Sequence, residues 1–325
     1  MLKKTLVAVA LVSALSGCTA TVVCNPNYRV DLDVADVPAK NSEDIKVIVL
    51  PVDMAFDDVA KQRLQAVILN DFEATVSQSG SEVIDRKLAS KLKNEIKLAE
   101  QSGRYNTKGV PIADIAIISE VTASNLFADF TERDTYENKD GETKVRPAHC
   151  DFKTEVKTTV KVLSLPDMRL IQRIELEGVD YADTETSNSR CPISNSQYIG
   201  MAIEAAQTSI EQSLALKKVL APSATVTEMR QCDEGTQLKI SMGSNKNIQP
   251  KAPIVFSQIF KSDEGELEMY PLGEGYVIDN EINAVGAKHS WVQVDEEIGV
   301  QVKKGDHARF VPECSWGNIG CHLNN

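Results

Sequence analysis

The sequence predicts an α/β layer fold over residues 45–221, followed by a small all-β barrel or sandwich over residues 222–325. Three observations predict it. Between Ile45 and Leu220 the apolar pattern switches repeatedly from strand to helix period and back, which is how a sheet with flanking helices reads. Beyond Pro222 the helical period disappears, and short apolar runs punctuated by glycine take over. With 325 residues, 42% hydrophobic and 25% charged, the chain has ordinary globular composition and enough length for two domains.

The first element, "IKVIVLPV" at residues 45–52, is a continuous run rich in β-branched side chains, as expected of a strand covered on both faces. Val59, Leu64, Val67, Ile68, Phe72 and Val76 then recur at spacings of about one helical turn, forming an apolar helix face that Gly80 can close. "SEVID" is a short second strand. Asp85 occupies the N-cap position of "RKLASKLKNEIKLAEQSG", in which Leu88, Leu92 and Ile96 lie one turn apart. "ADIAIISEVTAS", from Ala113, is a third strand. After a polar insertion, "DFKTEVKTTVKVLSL" and "RLIQRIELEGVDY" alternate around Pro166 and Asp167 as a long hairpin. Within its first strand Phe152, Thr154, Val156, Thr158, Val160 and Val162 share one face, and Lys153, Glu155, Lys157, Thr159 and Lys161 the other. One side is covered and one is wet. A helix over 197–218 closes the unit through Ile199, Ile203, Ala206, Ile210 and Leu214. In the tail, "ATVTEM", "TQLKISMG", "APIVFSQIF", "ELEMYPLGEGYVI", "HSWVQV" and "HARFVP" read as short strands, with no helix of any length among them.

Ahead of these elements, Lys3 and Lys4 precede an apolar segment from Leu6 to Leu15, too short for the ~20 residues that span a bilayer. Residues 1–17 therefore read as a signal peptide. Its end, Leu15-Ser16-Gly17-Cys18, resembles the bacterial lipobox, which implies cleavage before Cys18 and lipid on its sulfur and on the new amino terminus. Ordinary secretion, with Cys18 discarded or disulfide-bonded, is the competing reading. Two or more acyl chains anchor stably where one holds marginally. The same resemblance implies sorting to the periplasmic face of the outer membrane, since Thr19 stands where Asp would mean inner-membrane retention in many Gram-negative lipoproteins. Residues 18–44 hold Pro26, Pro38 and several Asn and Asp without periodicity, and read as a lipidated tether. No later segment is long and apolar enough to be a membrane helix.

The net charge of −12 becomes about −14 once Lys3 and Lys4 leave with the leader, which disfavours nucleic acid and anionic lipid as partners. Six cysteines beyond Cys18 suit an oxidising compartment and up to three disulfides. Cys314 and Cys321 bracket the turn-rich "SWGNIG"; Cys150 and Cys191 flank the predicted hairpin; Cys24 and Cys232 remain by elimination. Cys314, Cys321 and His322 lack the short spacing of zinc or haem sites, so no metal or other cofactor is expected. No G-x-S-x-G, P-loop, G-x-G-x-x-G or H-E-x-x-H is present. His149, Cys150 and Asp151 are adjacent, but neighbours in an extended segment point to opposite sides, so they do not converge as a nucleophilic site. His289 and His307 stand alone, and core packing outweighs partner binding for Trp291 and Trp316.

Three stretches in order, "IKVIVLPVDM", "GSEVIDRKLASKLKNEIKLAEQ" and "IADIAIISEVTAS" with the hairpin after it, resemble the periplasmic domain shared by the CsgG, LpoB and FlgT middle-domain families. The resemblance covers roughly residues 45 to 220 and implies a CsgG- or TolB-N-like layered sheet. In the tail, "LKISMGSNKNIQPKAPIVF" and "VKKGDHARFV", with Gly305 and Asp306, are similar to the SH3-like domain of FlgT-type proteins, although Pro250 and Lys251 depart from the pattern. A CsgG-like export channel would need two apolar-faced spanning hairpins. The insertion "NLFADFTERDTYENKDGETKVRPAHC" carries dense charge, and "DTETSNSRCPISNSQ" is too short. The expectation is therefore a non-enzymatic binding, assembly or scaffold module for an envelope complex, whether cell-wall synthesis, flagellar ring or surface-fibre machinery. It would meet a periplasmic or outer-membrane protein, with ring-like self-association as one mode the family allows. An export channel and a cryptic periplasmic hydrolase are the alternatives.

Overall fold

The computed structural model describes residues 22–85, 89, 113–165, 168–263, 265, 267–280 and 282–313. After a two-residue strand, β1 (Arg29–Val30), that pairs with the C-terminal half, the chain enters a six-stranded sheet. This sheet contains β2 (Lys46–Val49), β3 (Asp53–Met54), β4 (Glu82–Val83), β5 (Ile115–Thr131), β8 (His149–Ser164) and β9 (Arg169–Glu185), in the order β4-β2-β5-β8-β9 with β3 also on β5. β2 runs parallel to β4 and β5, whereas β5, β8 and β9 are antiparallel. The small hairpin β6 (Asp134–Glu137) and β7 (Thr143–Arg146) rises between β5 and β8.

The continuous apolar run at β2 has a simple cause. Val47 and Val49 face the helices α1 (Lys61–Gln78) and α2 (Asn195–Gln212), while Ile48 and Leu50 pack on the opposite side with Ala89, Ala116 and Leu163. Helix α1 buries Leu64, Ile68, Phe72 and Val76, one residue per turn, and each such side chain contributes roughly 1.5–3 kcal/mol. That burial holds a helix whose N-cap residue, Ala60, supplies no side-chain acceptor. Val59 lies before α1 and is exposed, so the apolar face is narrower than the sequence pattern suggests. Helix α2 begins with a Ser194/Gln197 capping box and lies across β9, where Gly178 is the residue that lets it approach. The predicted single helix over 197–218 is instead two. It breaks at Ser213, whose hydroxyl accepts from Leu216 N and starts α3 (Leu214–Val219). The helix expected after Asp85 lies outside the described residues, apart from the buried, helical Ala89.

The C-terminal half closes on itself. Strands β10 (Ser223–Cys232), β11 (Gly235–Ile240), β12 (Pro253–Lys261), β13 (Leu267–Val277), β14 (Ser290–Val294) and β15 (His307–Phe310) pair antiparallel in the ring β10-β11-β14-β13-β12-β15-β10. The result is a six-stranded barrel around Val226, Leu238, Ile240, Ile254, Phe256 and Val292. It carries a helix the sequence did not announce, α4 (Glu296–Gln301), too short for a helical period to show; its Ile298 joins the barrel core.

The largest departure is at residues 22–44, expected as a free tether. From Val22 onward they form a strap along the barrel. β1 pairs with β10, the backbone of Val34 bridges that of Lys304, Ala39 N donates to Gly305 O at 3.0 Å, and Ser42 is buried against Ser223. Several of its backbone groups pair with residues about 200 to 270 positions away in sequence, as Arg29 on Arg230 and Val34 on Lys304 show, so local composition alone cannot tell strap from linker.

Candidate functional site

Three places collect unusual chemistry: the distal part of the β5-β8-β9 sheet, the seam between the halves, and the barrel end that receives the strap. Beyond the helices, β5, β8 and β9 continue as a projecting arm. The third strand thus runs to Thr131, seven residues past the Ser124 expected from its apolar pattern, because β8 pairs with it throughout that stretch. On that face successive rungs read Phe127, Lys153, Tyr181, then Asp129, Asp151, Asp183, then Thr131, His149, Glu185. Three carboxylates stand abreast in the middle rung, an arrangement that repels itself. Lys153 lies 5.8 Å from the Phe127 ring centroid and pairs with Glu155, which holds the Glu155 carboxyl below its ordinary range. β9 forms the edge of the sheet, and no described strand pairs with its outer side.

The arm's covered face holds Cys150, bonded to Cys191 with a Cα–Cα distance of 5.5 Å and packed beside Phe152 and Met201. Cys150 is therefore no thiol, and His149 pairs with Asp151 at 3.3 Å on the opposite face. At the inner end of the arm, Tyr198 donates to Asp58 Oδ2 at 2.6 Å and lies 2.8 Å from the Ser124 hydroxyl. Burial first and then the Asp58 carboxylate push its phenol up to about 12, so it is a fixed hydrogen-bond donor at neutral pH.

At the seam, two cations of the barrel cap helix ends of the other half. Lys246 Nζ, with its side chain only 10% exposed, donates to Gly80 O at 2.9 Å just past α1 and lies 3.7 Å from Glu43. Arg309 donates to Lys218 O at 2.6 Å and Val219 O at 2.8 Å at the end of α3. Positive charge at helix C-termini satisfies the last carbonyls and opposes the helix dipole. Lys40 and the Lys46 N–H donate to Asp114 and, against the opposing effect of burial, hold its carboxyl below the ordinary value. A cleft of about 430 Å³ opens here, lined by Ile45, Ile115, Ile171, Leu220, Met269 and His307 among others. Burial, and then the neighbouring Arg309 charge, lower the His307 imidazole to about 4.

At the far end of the barrel Cys24 is bonded to Cys232, with a Cα–Cα distance of 5.9 Å. Cys24 N donates to Gln237 Oε1 at 2.7 Å, and the fully buried Gln237 returns a bond to Val22 O at 2.9 Å. Arg230 donates to Cys24 O and stacks 4.1 Å from the centroid of Trp291, which is 3% exposed and serves the core. Among the described residues, Cys24, Cys232 and Glu234 are the one group with metal-ligand spacing, and both sulfurs are consumed by the disulfide. Cys18, Cys314, Cys321, Trp316 and His322 lie outside the described residues.

No family model matches the chain, and no curated protein matches it. Among solved structures it is similar to the lipoprotein GNA1162 from Neisseria meningitidis, at 17% identity over 52% of this chain and 99% of that one, with a TM-score of 0.25. It is also similar to a minor lipoprotein from Acinetobacter baumannii (10% identity, 54% and 91% covered, TM-score 0.23). An uncharacterized lipoprotein B from Nitrosomonas europaea aligns at 9% identity, with 55% and 88% covered and a TM-score of 0.24. Likenesses this slight carry neither fold nor function across.

Sequence reasoning missed the Tyr198, Asp58 and Ser124 cluster and the Lys246 and Arg309 caps. Tyr198 is 140 residues from Asp58, and Lys246 is 166 from Gly80. No local signal marks such pairs.

Proposed function

We propose that this protein is a lipid-anchored envelope lipoprotein, held by Cys18 at the periplasmic face of the outer membrane, that binds and helps assemble another envelope protein without catalysis of its own. The observation that carries this is the β9 edge: 17 residues long, free of proline, with no described strand on its outer side. Such an edge offers a row of backbone donors and acceptors to an added strand. It is also graded in charge, with Arg169 and Arg173 toward one end and Glu175, Glu177, Asp180, Asp183 and Glu185 toward the other. That gradient gives an incoming strand a preferred direction, and an antiparallel second copy matches it as well as a foreign partner does. The two disulfides support an oxidising compartment.

The strand lengths favour keeping the export channel as a second reading, since β5, β8 and β9 exceed the ~9–11 residues that cross a bilayer. Against it stand Asp129, Asp151 and Asp183 abreast at one depth. The test is a pull-down from envelopes with the lipidated protein, with Cys18→Ala, and with a photo-crosslinking residue in place of Tyr181. An envelope protein enriched by the anchored form and cross-linked from position 181 is expected. Recovery of nothing beyond background refutes the assembly reading, and a heat-modifiable oligomeric barrel in detergent replaces it with the channel.

A further inference from the structure

The cleft at the seam differs in charge from the chain as a whole. The protein carries a net charge of −12, yet the residues lining this cleft include two cations, Lys218 and Arg309, and no acid. Of the carboxylates next to its walls in sequence, Glu43, Glu82 and Asp114 pair with Lys246, Lys46 and Lys40. Glu268 accepts from the Tyr270 hydroxyl, Asp306 from Lys303 N and Gln258, and Asp44 is solvent-exposed. His307 is neutral at pH 7 and adds no counter-charge.

Arg309 is the group that lacks a partner. Ala308 belongs to the barrel core, so its neighbours His307 and Arg309 face outward and line the cleft. Burial lowers the Arg309 guanidinium, with no carboxylate opposing it. Its bonds to Lys218 O and Val219 O both use Nη2, which leaves the Nε and Nη1 hydrogens without an acceptor among the described residues. A cation taken out of water in this way favours an anion beside it, and a guanidinium presents the donor fork that carboxylate and phosphate fit.

The other walls are apolar. Ile45, Ile115, Ile171, Leu220 and Met269 bound much of the roughly 430 Å³, a volume within the range of small-molecule sites. Ile171 and Met269 are each about half exposed, and Leu267, on the same face of β13 as Met269, is 66% exposed. An apolar surface therefore continues out of the cleft along β13.

We infer that this cleft binds a single-chain amphiphile with an anionic head, a fatty carboxylate or an alkyl phosphate. The head sits on Arg309 and Lys218, and the chain lies along Ile45, Ile115, Ile171 and Met269. The site is complete within one chain, so it stands apart from the assembly role of the β9 edge.

The test uses residues 18–325 with Cys18→Ala, secreted behind a cleavable leader and purified without detergent, which keeps every described residue. Decanoate and decyl phosphate, each below its micelle concentration, are titrated by calorimetry, with decanol and octanoate in parallel. Saturable binding of one anion per chain is expected, the tighter of the two naming the head group. Decanol should bind at least about tenfold more weakly, and decanoate more tightly than octanoate by up to about fourfold per added CH2. Arg309→Gln should weaken binding at least about tenfold. Because Arg309 also caps α3, Met269→Glu on the exposed wall is the second variant, expected to lose a similar factor while urea stability stays at the parent value. Binding of neither anion, decanol binding as tightly as the anions, or either folded variant binding like the parent overturns the site.

Discussion

The strap's covalent lock is the most demanding prediction. Replacing both partners, Cys24→Ala with Cys232→Ala, opens a loop of 208 residues. The chain-entropy relation for a loop of that length gives about 5 kcal/mol at 25 °C, against about 4 kcal/mol for the 41-residue separation of Cys150 and Cys191. Both figures are upper values, because structure retained in the unfolded chain lowers the entropy that a bridge removes; in the folded variant β1 on β10, Gln237 with Cys24 and Val22, and Arg230 on Cys24 O still hold the strap. Urea unfolding followed by tryptophan emission reads the loss, since Trp291 sits beside the lock under Arg230. Limited proteolysis of the folded double variant gives a second measure, with cleavage between Pro26 and Lys40 expected where the parent resists. A stability change within the roughly ±0.5 kcal/mol of an ordinary surface substitution, together with an uncleaved strap, would refute the reasoning, because the strap would then be held without its bridge.

Other expectations follow from single contacts. A Cβ at Gly178 would lie 1.7 Å from Ala205 O, a backbone atom, so Gly178→Val should cost at least the ~1–3 kcal/mol of core overpacking; an unchanged Tm would mean that α2 is not seated on β9. Lys246→Met leaves Gly80 O at the seam without its charged donor and should lower urea stability by about 2 kcal/mol. His307 is neutral when folded, with its imidazole lowered to about 4 against 6.5, so its contribution is fully present above pH 6.5 and lost as pH falls through 4. That contribution is up to about 3 kcal/mol, and the acid limb of stability should flatten in His307→Gln while NMR titration places the parent imidazole near 4.

Some elements could be read because one neighbour in sequence determines them. The alternation of Phe152 through Val162 against Lys153 through Lys161 places β8's covered and wet faces, and the burial pattern follows it residue by residue. The run at β2 is buried on both faces for the reason its composition implies. Reading failed where polar residues form regular structure. Asn125–Thr131 extend β5 because β8 pairs with them, not because they are apolar. In the tail α4 is too short for a period, and Ser213 ends α2 in mid-pattern by capping its successor.

For the candidate sites the division is the same. The cysteine pairs flanking the hairpin and left by elimination are joined in the structure, but neither the strap they secure nor the Lys246 and Arg309 caps has a local signature. By itself the sequence determined the alternating faces of β8 and the double burial of β2, since each depends on side chains within a few rungs of one another. Only the tertiary structure decided that residues 22–44 bind the barrel, that six strands close into a ring, and that β9 is left as an edge. Those outcomes depend on backbone hydrogen bonds between distant segments, which every non-proline residue can form and which composition therefore does not encode.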